Sequence, residues 1–421
     1  MAVRPTAPAP GRAAPLPAGS ARGLTRARIG RRGALALAGA AALSSAAALA
    51  GCGIPARERP AVDPDAFWAD KRSNGRLTFA NWPLYMDPDR TPLRRFSDRT
   101  GIEVDYREPI QDSPSYFGQI QPRLAAGDSV GCDLMVLTND RELSTLLRLG
   151  YLAPLDHDLL PAFAAHGADA HRHAPYDPGN AYCLPYASGI TGIAYDPERV
   201  GREITAIADL WDPAFRGRVG MMRDAPEIAN FALLLNGVAP AESTPADWDA
   251  AAERLRAQRD AGIVRGYYEQ DYLRPLTNGD VLLSMAWSGD VFQQNLEEGT
   301  RLRFVIPDEG ATIWTDNMMI PITAENPLDA LMLMDFLYEP DIAADLTEYI
   351  AYVSPVPEAR ELIQERAEQA SGAEAARLAE LAGSPLVFPS ADDRARLHSY
   401  VVPPPGEDQA FSERFLAITQ G

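Results

Sequence analysis

From Gly75 onward the chain alternates short apolar runs with amphipathic segments, and no other feature limits the possible folds as strongly. Arg76 to Ala80 reads as a strand, and Thr91 to Thr100 places Leu93 and Phe96 on one helical face before Gly101. Ile102-Glu103-Val104 opens a second strand. Tyr116 to Ala126 carries Tyr116, Ile120 and Leu124 at helical spacing and stops at Gly127. Asp133 to Leu137 is the mostly apolar run of a buried parallel strand, and Asn139 is placed to cap a helix holding Leu143, Leu146 and Leu147. Such alternation implies βαβ units and a parallel sheet covered on both faces.

A second set starts near Tyr186, with strands at Ile193-Ala194-Tyr195, Val219 to Met222, Val281 to Ala286, Arg303 to Ile306 and Met318 to Ile320. Helices are expected over 206–211, 227–235 and 246–261, and the chain closes with helices over 327–338, 341–349, 358–382 and 408–418. Two α/β lobes result. The Ala/Glu-rich stretch from Glu361 to Glu380 has high helix propensity and few apolar residues, which predicts an exposed helix or hairpin.

Ahead of this body lies an export signal. Arg31-Arg32 precede an uncharged, alanine-rich run from Gly33 that ends in Leu49-Ala50-Gly51-Cys52. A basic region, a modest apolar segment and small residues before a cut are its three parts. The paired arginines point to the twin-arginine route, although Gly33-Ala34 replaces the usual hydrophobic residue. Leu-Ala-Gly-Cys resembles the lipobox of bacterial lipoproteins, which makes Cys52 the expected lipidation site and first mature residue. The run is barely long enough, and too poor in Leu and Ile, for a retained transmembrane helix. Residues 1–51 are thus read as signal and 52–74 as a linker.

Removing residues 1–51 takes away Arg4, Arg12, Arg22, Arg26, Arg28, Arg31 and Arg32 but no acid, so the formal charge moves from −19 to −26. That balance argues against nucleic acid as a partner and can concentrate cationic solutes; a merely solvated surface is the plainer reading. The remaining chain, about 370 residues, is too long for one core and suits two domains. Cys132 and Cys183 are left as either one disulfide or two buried thiols.

Motifs of catalysis are missing: there is no G-x-S-x-G, no G-x-x-x-x-G-K-[ST] and no H-E-x-x-H. His171 and His173 read as solvated loop residues, with no metal-ligand pattern, and no cofactor is expected. Four segments instead place rings beside acids at expected strand ends: Asn81 to Tyr85, Asp224 to Glu227, Met285 to Asp290, and Ile313 to Asn317. Ligands of doubly wound sheets bind at such ends. Ring faces attract ammonium groups and cover methylenes while carboxylates accept charge-assisted hydrogen bonds, which suits a cation on an apolar stem. Each segment also has a structural explanation. Asp224 and Glu227 suit a helix start around Pro226, Trp287 can fill a core, and Trp82 with Tyr85 can pack a turn.

From about Leu77 to Tyr352 the sequence resembles the spermidine/putrescine-binding family, the substrate-binding components of polyamine ABC transporters. The likeness is carried by Ala80-Asn81-Trp82 with Tyr85, Phe96 to Val104, Asp133 to Val136, Leu184-Pro185-Tyr186 with Gly189, and Ala208 to Trp211 before Phe215-Arg216-Gly217. It implies an α/β, two-lobed, periplasmic-binding-protein-like fold of type II, each lobe a sheet flanked by helices, with a ligand cleft between. Lobe I would take 75–186 and 314–354, and lobe II 187–313 and 355–421. By the same resemblance Trp82 and Tyr85 form one wall, Asp224 and Glu227 take a terminal amine, and Trp287 stacks along the chain. Trp314 and Asp316 hold the other amine, and Tyr352 is a further binding tyrosine. Where the family tends to carry serine and then tyrosine, this chain has Thr138 and Asp140. The implied protein is a lipid-anchored monomer outside the cytoplasmic membrane that captures a polyamine for an ABC permease and catalyses nothing. A binding protein for another solute, or a surface enzyme or adhesin on this fold, are the alternatives.

Overall fold

The computed structural model describes residues 62–420 apart from positions 173, 175, 402, 404 and 405. The expected export signal, Cys52 and His173 lie outside the described residues. The strands are β1 (Arg76–Ala80), β2 (Glu103–Arg107), β3 (Leu134–Thr138), β4 (Cys183–Tyr195), β5 (Val219–Met222), β6 (Val264–Tyr268), β7 (Leu283–Trp287), β8 (Arg303–Val305), β9 (Ala311–Met319) and β10 (Leu397–Ser399). They join in one hydrogen-bonded sheet of order β2-β1-β3-β9-β4-β7-β5-β6, with β10 beside β9 and β8 beside β4.

Local sequence explains the first lobe. Arg76–Ala80 buries Leu77 and Phe79 and pairs in parallel with β2 and β3. The helix Thr91–Thr100 buries Leu93 and Phe96, and Gly101 ends it at φ 76°, with its N–H bonded to the Ser97 carbonyl. That is the left-handed cap for which glycine carries no Cβ penalty. Asp140, not Asn139, caps the helix Arg141–Arg148, accepting from the N–H groups of Glu142 and Leu143. Asn139 is buried instead and accepts the Thr315 N–H at 2.9 Å, tying β3 to β9.

The lobes share β4 and β9. Sequence predicts three-residue strands at 193–195 and 318–320, but the observed strands have thirteen and nine residues. The first part of β4 pairs antiparallel with β9 from Cys183–Met319 onward, while Thr191–Tyr195 pairs with β7 and Ile193–Tyr195 also with β8. On the far side of β9, Asp316–Met319 pairs with β3 and Ala311–Ile313 with β10. Each strand therefore begins in one lobe's sheet and ends in the other's. Every residue of β4 is buried, so the expected lobe boundary at 186/187 falls inside a buried strand.

Two apolar cores cover the faces of the first lobe's sheet, built around Phe79, Phe96 and Met334 and around Ile120, Leu124 and Leu146. A third, around Phe231, Trp248 and Phe415, belongs to the second lobe. The segment just after the expected boundary at 355 packs with the first core. The Ala/Glu-rich stretch is a hairpin of helices Ala359–Gln369 and Gly372–Gly383, and Ile363, Leu378 and Leu381 enter the first core. Arg366 fixes it there through Asp345 at 2.8 Å and Glu348 at 2.7 Å. The chain then crosses back, since Tyr400 belongs to the first core and Val401 to the second. The expected linker is also partly structured: Pro64–Trp68 is a helix whose buried Trp68 donates from Nε1 to the Pro154 carbonyl at 2.8 Å. His171, expected on a solvated loop, is buried, and burial lowers its imidazole to about 4.

Cys132 and Cys183 are free and buried. Met319 of β9 pairs with Met135 on one side and Cys183 on the other. Two strand spacings, about 10 Å, therefore separate Cys183 from β3, beyond the Cα separation of about 7 Å that a disulfide tolerates. Each thiol has its own partner: Cys183 Sγ donates to Asp177 Oδ2 at 3.3 Å, and Cys132 lies 3.6 Å from the Tyr116 hydroxyl. Alkylation without reductant should therefore spare both cysteines in the native protein and modify both after unfolding. A Cys132–Cys183 cross-linked peptide in mass spectrometry would contradict this packing.

Candidate functional site

Pairing across the shared strands puts the candidate residues on one face. Asp316 is opposite Thr138 of β3 and Ala187 of β4, Trp314 is opposite Gly189, and Thr312 is opposite Thr191, which faces Trp287 of β7 on its other side. Residues two apart on a strand share a face, so an acid, a ring and a hydroxyl follow one another across the join. Gly189 is required here by contact: a Cβ would lie 2.1 Å from Cζ2 of Trp314, whose ring lies across this backbone. Gly289 likewise makes room for Tyr352, with a Cβ 2.6 Å from Cε1.

Three carboxylates sit in this setting, Asp316 and Glu227 buried and Asp290 half-buried, each held by neutral donors. Asp316 accepts from the Tyr85 hydroxyl at 2.7 Å and from Thr138 Oγ1 at 2.6 Å. Asp290 accepts from the Tyr272 and Tyr352 hydroxyls, both at 3.0 Å. Glu227 is 2 % exposed, and its Oε1 accepts from Thr191 Oγ1 and Trp287 Nε1, each at 2.8 Å, and from the Tyr400 hydroxyl. Its Oε2 is buried with no hydrogen-bond partner among the described residues. Among the described residues, no Lys, Arg or His forms an ion pair with Asp316, Asp290 or Glu227.

Burial dominates the electrostatics. It raises the carboxyls of Asp316 and Asp290 to about 6, partly offset by their tyrosine and threonine donors, and it raises Glu227. Asp224 is exposed at the start of its helix, and its carboxyl is raised, first by the water that the surrounding protein displaces and then by Glu227. Asp140 is raised to about 6, mainly by burial, with Asp224 across the cleft adding repulsion, and Glu142 rises to about 8 through burial and Asp140. A hydrogen bond to a charged group contributes about 1.5–3 kcal/mol, whereas an unpaired buried charge costs several kcal/mol. Neutral donors alone leave this cluster short of positive charge.

The rings are arranged edge to face. Trp287 and Trp314 have centroids 6.4 Å apart at 81°, and Trp314 and Tyr352 are 5.2 Å apart at 63°. Tyr85 stacks on Tyr186 at 6.0 Å. Leu84 and Ala351, the residues just before Tyr85 and Tyr352, are left-handed at φ 62° and 53°. Non-glycine residues adopt that conformation at a cost of order 1 kcal/mol, here beside two of the site's tyrosines.

Most of the residues singled out from sequence meet here. Tyr85, Thr138 and Asp316 are hydrogen-bonded together, Glu227 to Trp287, and Trp314 contacts Trp287 and Tyr352. Asp224 caps its helix, as the structural explanation expects, and Asp140 caps another. Trp82 is half-buried against two cores, and its Nε1 is buried without a partner among the described residues. Thr191, Tyr272 and Tyr400 were not singled out, and Asp290 entered only as the acid of its segment, without a role. Asp290 was legible as the acid three residues after Trp287; Tyr400 reaches Glu227 across 173 residues and had no local signal. No group of three or more metal-ligating side chains suited to an ion occurs among the described residues.

Comparison with known proteins agrees with this architecture. The family described as bacterial extracellular solute-binding protein matches residues 93–375. The spermidine/putrescine-binding periplasmic protein of Salmonella typhimurium is 31% identical over 297 residues, covering 70% of this chain and 82% of that protein. The putrescine-binding periplasmic protein PotF of Escherichia coli is 28% identical over 388 residues, covering 88% and 97%. Among solved structures, a putative spermidine/putrescine ABC transporter protein from Listeria monocytogenes aligns with a TM-score of 0.68 at 24% identity, over 82% of this chain and 99% of that one. At that identity the likeness concerns the fold.

The raised carboxyls have a consequence for stability. A carboxyl near 6 in the folded state and near 4 in the unfolded one binds more protons when folded, so each of these two carboxyls contributes a loss of stability as pH rises from 4 to 8. For Asp316 alone the loss amounts to about 2 kcal/mol. Urea unfolding of Asp316→Asn should show a pH dependence shallower by that amount. An unchanged slope would mean that Asp316 is not desolvated in the free protein.

Proposed function

The chain belongs to the bacterial extracellular solute-binding protein family, and on that premise we propose that its cleft captures a linear polyamine of the putrescine and spermidine class for an ABC importer. One observation carries the reading: buried acids from both lobes converge with no protein cation among the described residues, and Glu227 Oε2 has no partner there. A polyamine supplies what is missing, ammonium groups spaced by methylenes that the faces of Trp287 and Trp314 can cover.

The spacing supports an extended ligand. Asp316 and Thr312, the residue opposite Thr191 and therefore level with the Glu227 contact, are four residues apart, about 13 Å along the strand. An extended spermidine, with nine bonds between its terminal nitrogens at about 1.25 Å advance each, spans about 11 Å; putrescine, with five, spans about 6 Å. Spermidine is thus the better match to both ends. In this reading Asp224, Glu227 and Asp140 take one end, Asp316 with Tyr85 and Thr138 the other, and Asp290 and Tyr352 lie between the tryptophans and the Asp316 end; Trp82 forms the outer wall.

The acids come from both sides of the shared strands, Asp140 and Asp316 beside β3 and Asp224 and Asp290 from the second lobe's helices. Cation capture is therefore coupled to lobe closure, and the closed form is what a permease would recognise. The reading includes no chemical step. It includes export, lipidation at Cys52 and a monomer tethered outside the membrane, on the strength of the N-terminal sequence and of relatives named as periplasmic.

Ligand that binds only the native state raises its melting temperature. Spermidine should do so, neutral sugars should not, and Trp287→Ala should weaken spermidine binding in calorimetry by tenfold or more, about 1.4 kcal/mol. Unchanged affinity in that variant would remove the assignment.

A further inference from the structure

The protein treats the two oxygens of Glu227 differently. Oε1 receives three donors, Thr191 Oγ1, Trp287 Nε1 and the Tyr400 hydroxyl, while Oε2 receives none among the described residues. An oxygen with two lone pairs has no capacity left after three donors. Asp316 and Asp290 carry one donor on each oxygen, from Thr138 and Tyr85 and from Tyr352 and Tyr272, which leaves each oxygen a lone pair. Glu227 differs: with Oε1 saturated it offers one open oxygen, whereas the planar fork of a guanidinium uses two. An ammonium makes no such demand, because its three donors diverge and each can take a separate oxygen. Asp224, whose Oδ2 lies 3.4 Å from the Glu227 backbone nitrogen, is the adjacent carboxylate for a second such bond.

We propose that Tyr400, acting with Thr191 and Trp287, makes the Glu227 end of the cleft select a terminal ammonium over a terminal guanidinium, by saturating Oε1 and leaving Oε2 as a single acceptor. The inference rests on the polyamine reading and adds to it the head group that is accepted. Tyr400 is a positioning residue that acts through Glu227. It stands just after β10, where the chain crosses between the lobes for the third time, so the selectivity comes from a segment outside the four aromatic and acidic loops. Thr191 is fixed independently, by its place in β4 opposite Thr312 and Trp287.

The test is calorimetry on the full chain with spermidine and with its bis-guanidino analogue, in which a guanidinium meets Glu227 in either orientation. The unmodified protein should bind spermidine at least roughly tenfold more tightly. Tyr400→Phe combined with Thr191→Val leaves Oε1 with the Trp287 donor alone and one lone pair open, and should narrow that ratio by roughly tenfold. A merely structural role for Tyr400 would weaken both ligands together and leave the ratio unchanged, which would overturn the inference. Equal affinity of the two ligands for the unmodified protein would overturn it without recourse to any variant. If spermidine itself does not bind, the proposed function fails and this inference with it; spermidine binding without selectivity removes this inference alone.

Discussion

The antiparallel pairing of β4 with β9 is the constraint on which the rest of this structure depends. Both strands belong to both lobes, so the residues at their middle are at once interior to the sheet and at the join between the two bodies. Period-two alternation then places Asp316, Trp314 and Thr312 on the same face as Ala187, Gly189 and Thr191, and the neighbouring strands add Thr138 and Trp287 to that face. A one-residue slip would move every one of these side chains to the opposite side. Gly189, with the Trp314 ring lying across it, penalises such a slip, because any other residue there would clash.

Electrostatics follow from that placement. Carboxyls at a buried join lose water, and neutral hydroxyl and indole donors recover only part of the lost solvation. The free protein therefore holds its carboxylates at a cost, as the upward shifts of Asp316, Asp290, Asp224 and Glu142 express. Tyr85, Tyr272, Tyr352 and Tyr400 are themselves kept protonated by burial and by the carboxylates beside them, so they remain donors across the physiological range. Capture of a cation would supply the missing positive charge directly. Surface charge alone, although strongly negative, would supply steering but not such a site.

Much of this was legible in the chain. The helix ending at Gly101, the buried strand around Val136 and the cap at Asp224 follow from local rules of periodicity and chemistry, and they stand where those rules place them. Resemblance supplied the acids and rings of the site. What was missed depends on contacts between distant segments. The middle of β4, with Gly189 and Thr191, reads as a break in pattern because both of its faces are covered by partners far away in sequence. The helices over 359–383 look solvent-exposed by composition, yet Arg366 and three buried side chains hold them to the first lobe. Tyr400 has only its neighbours to speak for it, and they say nothing of Glu227.

A crystal structure of the protein soaked or grown with spermidine tests the central claim most directly. The account requires electron density for an extended ligand between Trp287 and Trp314, with one nitrogen within hydrogen-bond distance of Glu227 Oε2 and another at Asp316. Ligand density elsewhere, or a bound polyamine that leaves Glu227 Oε2 without a partner, would contradict it.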